Sequence, residues 1–600
     1  MSIKLSKSSI SSFVGDVLPL QLISDEDISK KNIVWTASSD IVSVRTFSGD
    51  GEFDFNDGIL LTLLTPGNAV VTAELDGTTY ECSINIRKMK SASIDEDFNY
   101  YIGDFHDHTT MDHNFKTFAV RTSEKTVDYL KQIKDENLID FAVISDHSDV
   151  INKREFFRNF IDVENMQPMD IVVFAGTESE VTVIEADRCG LNHKNSGEIV
   201  TVNADSYSGA VSWDEFYDDL KTSPYGVCVL AHPQVTGGTG NGIWNFSLHK
   251  NNTPRLKELV KCVEIGNGGD RGANSIHEYV YSVALDNGFN VSTTCSSDSH
   301  GPVWGYNAMP GKTIIMAAEK SKEAFLDAIN HRRIYACESG NVKLKCSVNG
   351  QPIPCTVSDI NKYSFHVETS YFRDDASTTP VKCQVISDYG RTVKVIEDID
   401  FTSFDFDVES DTARYFFLRF TDSEGRRTWS PPVFTGRKCD VYTDPKLIPL
   451  DKSNFTALNA KTNEDASSVI SDDIFDVWVN DDPHSSIVID MQEVKSICAV
   501  GHYPMRILEH EIRAHLYSEP EKISEFVKEC NIYTSIDGMD YKKRADGCFR
   551  IYGAEEIVMF PACDARYVKF EVTATVGEAY GPAKYKNTKV SIGKLTVFTK

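Results

Sequence analysis

The chain has no run of eighteen or more apolar residues, so no stretch reads as a membrane-spanning helix. It has no Cys-x-x-Cys pair. Its fourteen cysteines are scattered singly from Cys82 to Cys563, which excludes a disulfide framework and a thiolate zinc site and leaves most as small buried hydrophobes. Gly-x-Ser-x-Gly is also missing, so no serine nucleophile elbow is signalled. Positive charge is scarce: 61 Lys and Arg stand against 89 Asp and Glu, and the formal charge of −28 argues against a general binder of nucleic-acid backbones. The opening Met1-Ser2-Ile3-Lys4-Leu5-Ser6-Lys7 lacks the apolar core of a signal peptide. The location of the protein is therefore left open among cytoplasm, cell surface, secretion and phage virion.

What is present is ordinary soluble composition, 41% hydrophobic and 25% charged, spread over 600 residues. That length exceeds one core, so roughly three to five domains are expected. Residues 1–92 read as short β-branched strands between turns, among them Ile33-Val34-Trp35-Thr36, Ile41-Val42-Ser43-Val44 and Ala69-Val70-Val71-Thr72-Ala73 after Pro66-Gly67. That spacing predicts a β-sandwich. Its order, Val-Trp-Thr-x-Ser-Ser through Pro-Gly-x-Ala-x-Val-Thr-Ala to Cys-x-Ile-x-Ile, resembles bacterial immunoglobulin-like modules of surface and phage virion proteins.

Residues 98–338 alternate between apolar strands and helical patterns. The densest chemistry is Gly103-Asp104-Phe105-His106-Asp107-His108-Thr109-Thr110-Met111-Asp112-His113. In an extended strand, residues two apart point the same way, so His106 and His108 can present their rings to one point. Imidazole and carboxylate are ligands of zinc, iron and manganese. Further apolar strands end in Ser145-Asp146-His147, Gly176-Thr177-Glu178, Ala231-His232-Pro233, Gly266-Asn267 and Ser297-Asp298-Ser299-His300. Buried charged groups must be paired or coordinated, so this repetition is hard to attribute to packing. It predicts a TIM-like β/α barrel with its chemistry at the carboxyl ends of the strands. Asp104 and Asp146 are read as acceptors that orient the histidines. His249, His277, His331, His484 and His502 are read as surface or packing residues.

The series His106-x-His108, Asp146-His147, Gly176-Thr177-Glu178, Ala231-His232-Pro233 and Ser297-Asp298-x-His300 resembles the motif order of the PHP (polymerase and histidinol phosphatase) superfamily. Two later stretches, His331-Arg332-Arg333-Ile334-Tyr335-Ala336-Cys337 and Tyr415-Phe416-Phe417-Leu418-Arg419 through Trp429-Ser430-Pro431-Pro432, are similar to its carbaryl-hydrolase-like branch. That branch closes with a small β-domain, expected here at 339–437. Residues 438–600, with Trp478, Ile487-Val488-Ile489, Ile532-Tyr533-Thr534-Ser535 and a closing Leu595-Thr596-Val597-Phe598, resemble discoidin (coagulation-factor type C) domains. Tyr541 stands where relatives usually carry Trp. Such domains often bind sugars or lipid headgroups.

The PHP resemblance implies nine metal ligands: His106, His108, His113, His147, Glu178, His193, His232, Asp298 and His300. It groups His106, His108, Glu178 and Asp298 on one ion. Glu178, His193 and His232 would hold a second, and His113, His147 and His300 a third. Two or three divalent ions (zinc, manganese or iron) are thus expected as cofactors. A metal-bridging hydroxide is the expected nucleophile, with Glu178, Asp298 and His300 acting on catalysis through it. Arg121, Arg188, Lys194 and Arg271, in predicted loops, can clamp a phosphate or carboxylate, and Asn267 can reach the substrate. The expected function is a metal-dependent phosphoesterase acting on a small or glycan-linked ester, with the C-terminal domain as a carbohydrate binder. The alternatives are a hydrolase of carboxylic or carbamic esters, or a non-catalytic surface or virion protein.

Overall fold

The computed structural model describes residues 2–47, 55–93, 97–109, 139–148, 150–167, 169–186, 192–207, 216, 220, 225–233, 254–268, 271–286, 288–300, 311–437, 447–473, 476–503, 524–549, 556–580 and 589–600. Strands dominate it throughout.

The first 87 residues fold as two four-stranded sheets. One joins Ile3–Leu5, Val17–Ser24, Phe55–Leu63 and Val42–Phe47; the other joins Ser9–Phe13, Thr78–Arg87, Gly67–Leu75 and Val34–Ala37. Period-two alternation explains the pairing. In Gly67–Leu75, Ala69, Val71, Ala73 and Leu75 are buried while their neighbours are not. Together with Leu20, Ile59, Leu61, Cys82 and Ile84 these residues build the core between the sheets.

The expected β/α barrel over 98–338 is not formed. A barrel of that kind needs parallel strands, each followed by a helix. Among the described residues of this segment there are nine strands but four helices, Lys153–Asn165, Pro254–Leu259, Arg271–Asp286 and Lys322–Asn330. The strand Val172–Ala186 does not stop at Glu178. Its continuation Val181-Thr182-Val183-Ile184 is β-branched, and it pairs antiparallel with Asn192–Val202 from Gly176↔Val202 to Ala186↔Asn192. A direct hairpin thus stands where a crossover helix was expected. The sheet is mixed: Asn99–Asp107, Phe141–Ile144 and Val172–Ala186 run parallel, as do Val227–Leu230, Val260–Asn267 and Ser292–Ser296, with Asn192–Val202 antiparallel between the two sets. The predicted helix beginning at Thr122-Ser123 lies outside the described residues.

That sheet does not end at residue 338. From Asn99–Asp107 it passes through Lys312–Ala317 and Ile334–Cys337 to Arg427–Trp429, then to Tyr415–Asp422, Pro380–Ser387 and Arg391–Glu397. Residues 339–437 therefore share backbone hydrogen bonding and an apolar core with the segment before them, through Ile314, Tyr335, Leu344, Phe365, Phe416 and Leu418. Beneath this seam Glu278 meets Arg419 and receives the Trp429 indole N–H at 3.1 Å, while Arg427 pairs with Glu338 at 2.8 Å.

The helix Lys153–Asn165 is capped by Asn152, whose side chain accepts from Arg154 and Glu155 N–H while the Glu155 carboxylate accepts from Asn152 N–H. Its Phe156, Phe157 and Phe160 dock on Phe47 and Phe55 of the N-terminal sandwich. At the other end of the chain, Ser486–Tyr503 and Glu556–Thr575 are the central pair of a seven-stranded sheet, beside a two-stranded ribbon of Trp478–Asn480 and Val590–Ile592. Its core includes Trp478, Ile489, Val568, Phe570 and Ile592.

Candidate metal centre

Four strand ends and the middle of a fifth strand, Val172–Ala186, converge on one polar point beneath the surface. Asn99–Asp107 delivers His106 and His108 on the same face, with ring centroids 5.1 Å apart. Backbone bonds lock the neighbouring ends to it: Asp298 N–H donates to the His106 carbonyl, His108 N–H to Ser299, and Ser145 N–H to Asp107. Glu178 N–H donates to Ser145 and Asp146. Gly176 permits this approach, since an added Cβ would lie 1.7 Å from the Thr201 carbonyl oxygen. His232 and Asp298 take positive φ values, 23° and 50°, a strained backbone that aims both side chains inward.

Glu178 is the hub, 1% exposed. Its Oε2 lies 3.1 Å from His106 Nε2 and 3.4 Å from both His108 Nε2 and His147 Nε2. Its Oε1 faces the other way, 3.1 Å from His232 Nε2. Asp298 Oδ1 lies 3.2 Å from His108 Nε2 and 3.6 Å from His106 Nε2. The His300 ring stacks on His108 at 4.0 Å, and His300 Nδ1 lies 3.2 Å from the Asp298 carbonyl oxygen.

Four overlapping sets have donor atoms within 4.8 Å of one another: His106, His108, Glu178 and Asp298; His108, His147 and His300; His106, His232 and Glu264; and Glu178, Glu198 and His232. Neither His106 Nε2 nor Asp298 Oδ1 makes a hydrogen bond among the described residues, although both are buried. Imidazole nitrogens and carboxylate oxygens converging in this way fit divalent transition ions.

No protein-family model and no curated protein matches the chain. Among the solved structures similar to it are three carbohydrate-binding modules from Clostridium perfringens. CpGH89CBM32-5, in complex with GalNAc-beta-1,3-galactose, is 18% identical, covering 25% of this chain and 100% of that one at a TM-score of 0.20. The family 32 module of NanJ, in complex with galactose, is 17% identical over 26% and 99%, also at 0.20. CBM32-3 from a family 31 glycoside hydrolase is 18% identical over 25% and 95%, again at 0.20.

Seven of the nine expected ligands, His106, His108, His147, Glu178, His232, Asp298 and His300, are thus brought together. His113 lies outside the described residues, as do Arg121 and Arg188. His193 sits on the hairpin opposite Glu185, whereas Glu178 pairs with Val200. Seven residues of strand, roughly 23 Å, separate those two rungs. Lys194 follows His193 on the same strand, and Arg271 opens a helix; the side chains of all three lie outside the described residues. Asn267 Nδ2 donates to Glu264 Oε2 at 3.1 Å and to Asp298 Oδ2 at 3.2 Å, so its amide braces carboxylates.

Two members of the cluster were not foreseen. Glu264, 1% exposed, lies 3.2 Å from His106 Nδ1 and accepts the His232 backbone N–H at 2.7 Å. Its signal was available: a carboxylate inside the apolar run Cys262-Val263-Glu264-Ile265. Glu198, diagonal to Glu178 across the hairpin, places Oε2 3.4 Å from His232 Nε2. Asp104 accepts from Ser297 N–H at 3.0 Å, and Asp146 accepts from Thr109 N–H at 2.6 Å and from the Asn159 side-chain amide at 3.1 Å.

Electrostatics follow from the company each group keeps. Burial opposes a charge on His106, but Glu178, Asp298 and Glu264 overcome it and hold the ring well above the usual imidazole range. Burial likewise opposes a charge on His232, yet Glu198 and Glu178 carry it up to about 10. Glu178 and Asp298 are held well below the carboxylate range despite burial, chiefly by His106. His300 is pushed down to about 4 by burial and then His108, so it stays neutral at pH 7 with a lone pair to give.

Proposed function

We propose that this chain is a metal-dependent hydrolase of phosphoesters, with two or three divalent ions held by the cluster around Glu178. The observation that carries this reading is the division of that carboxylate: one oxygen faces His106, His108 and His147, and the other faces His232. A group disposed in this way would contribute to two cation positions. The resemblance of the histidine and aspartate motifs to the PHP superfamily supports the same reading. When bound, such ions acidify water near neutral pH and stabilise developing charge on a scissile bond. The chain's own part is positional. His106, His108 and Asp298 form one donor set, Glu264 and Asn267 hold its members in place, and His300 offers a neutral imidazole at the more exposed side.

The C-terminal sandwich is proposed as a glycan-docking module, on the likeness of its sequence order to discoidin domains. The test of the hydrolase is turnover of p-nitrophenyl phosphate against p-nitrophenyl acetate and an aryl carbamate, after loading with manganese, zinc or iron(II). Phosphate turnover is expected, and it should be lost together with bound metal in His106→Ala and Asp298→Ala. Turnover of only acetate or carbamate would move the assignment to carbonyl esters. No turnover and no retained metal would remove it.

A further inference from the structure

Resting on the metal reading above, we infer that Glu198, with Glu178 and His232, forms an oxygen-rich subsite that selects a hard divalent ion of the manganese or magnesium class, while His108, His147 and His300 form an imidazole subsite for a zinc-class ion. The sequence had assigned the position of Glu198 to His193. The hairpin register carries His193 to the rung of Glu185, far along the strand, and brings Glu198 to Glu180, two residues from the hub.

The chemistry of the two poles differs. At one, His232 Nε2 faces Glu178 Oε1 at 3.1 Å and Glu198 Oε2 at 3.4 Å, giving two oxygens and one nitrogen. At the other, three imidazoles contribute nitrogen alone. Carboxylates at the first pole bring negative charge to offset a divalent ion, whereas the imidazoles of the second bring none. Carboxylate and water suit magnesium and manganese, whereas imidazole suits zinc, copper and iron. Hard ions also keep several waters. The side chains of His232 and Glu198 remain 12% and 10% exposed, so solvent reaches this pole.

The experiment loads the full chain with equal concentrations of manganese(II) and zinc(II) chloride, desalts it, and reads metal content by mass spectrometry and bound manganese by electron paramagnetic resonance. Wild type should retain both metals. Glu198→Gln should lose manganese at least tenfold while keeping zinc, and Glu198→His should exchange manganese for zinc at unchanged total occupancy. His193→Ala should change neither. Glu198→Asp, shorter by one methylene but still charged, gives the same readout should the glutamine variant fail to fold; manganese weakened and zinc kept is again expected. Unchanged manganese in the Glu198 variants, or its loss in His193→Ala, overturns the subsite while leaving the hydrolase reading standing. A wild-type chain that retains neither metal overturns both.

Discussion

His106 and His502 are equally buried, each 1% exposed, and belong to different worlds. Around His106 stand Glu178, Asp298 and Glu264, and the ring is held well above its usual range although burial works against charge. His502 lies against the rings of Phe549 and Phe570 at 4.7 and 5.7 Å, and burial alone pushes it down to about 3. Neither of its ring nitrogens has a hydrogen-bond partner among the described residues. Depth makes a histidine sensitive to its neighbours; the neighbours decide whether it becomes part of a charged site or an inert filler of the core.

The severest way to break that contrast is to remove the hub. Glu178→Ala takes a carboxylate away from four imidazoles at once and leaves His106 closer to the condition of His502. The expected outcome is loss of bound metal and a fall in kcat/KM of about 10²–10³ or more, the range known for deleting one stabilising group. Metal analysis beside steady-state kinetics checks this. A variant that keeps its metal and its rate would show that the cluster is not organised around Glu178.

A smaller effect is expected from Glu264→Gln. Glu264 reaches His106 from the side opposite Glu178, accepts the His232 backbone N–H, and is itself braced by Asn267. A carboxylate behind a ligating imidazole fixes its tautomer and raises its basicity, and such partners are commonly worth 10–100-fold in metal affinity. Glutamine keeps the shape and loses the charge. Competition titration with a chelating dye should therefore show metal affinity weakened about 10–100-fold, with little change in the melting profile of the metal-free chain. Equal affinity in the two proteins would assign Glu264 to packing alone.

Much of this contrast was legible in the residues. The alternation of His106 and His108, and the apolar runs before His147, His232 and Asp298, follow from local rules of strand geometry, and the structure gathers those side chains. His277 and His502, read as surface or packing residues, are deep in the protein. The hairpin was not legible. Glu178-Ser179-Glu180 interrupts the apolar run after Phe174 and looks like a strand end, because a strand lined by a polar site loses the hydrophobic signature that marks strands elsewhere. That misreading supported the barrel, and the place the PHP resemblance gave to His193 left Glu198 out. Glu198 sits after Ser196-Gly197 with no motif around it, and only the register of Glu178 against Val200 brings it to the cluster. Register is a pairing property of two strands, which no single stretch of sequence displays.

The mildest test concerns His502 and works through pH. Its folded value of about 3 lies below the unfolded value of about 6.5, so the unfolded chain binds the extra proton first. Above pH 6.5 both states are neutral and the residue is silent. As pH falls from 6.5 towards 3, stability is lost at up to about 1.4 kcal/mol per pH unit, or about 2 kcal/mol at pH 5. His502→Phe removes the titrating group and retains an aromatic ring between Phe549 and Phe570. Amide exchange in Ser486–Tyr503, the strand that carries residue 502, isolates this domain from titrations elsewhere. Between pH 7.5 and pH 5, wild type should lose about 2 kcal/mol more opening free energy there than the variant does. If the two lose the same amount, His502 is not the neutral, unpartnered ring described, and the contrast with His106 fails at its apolar end.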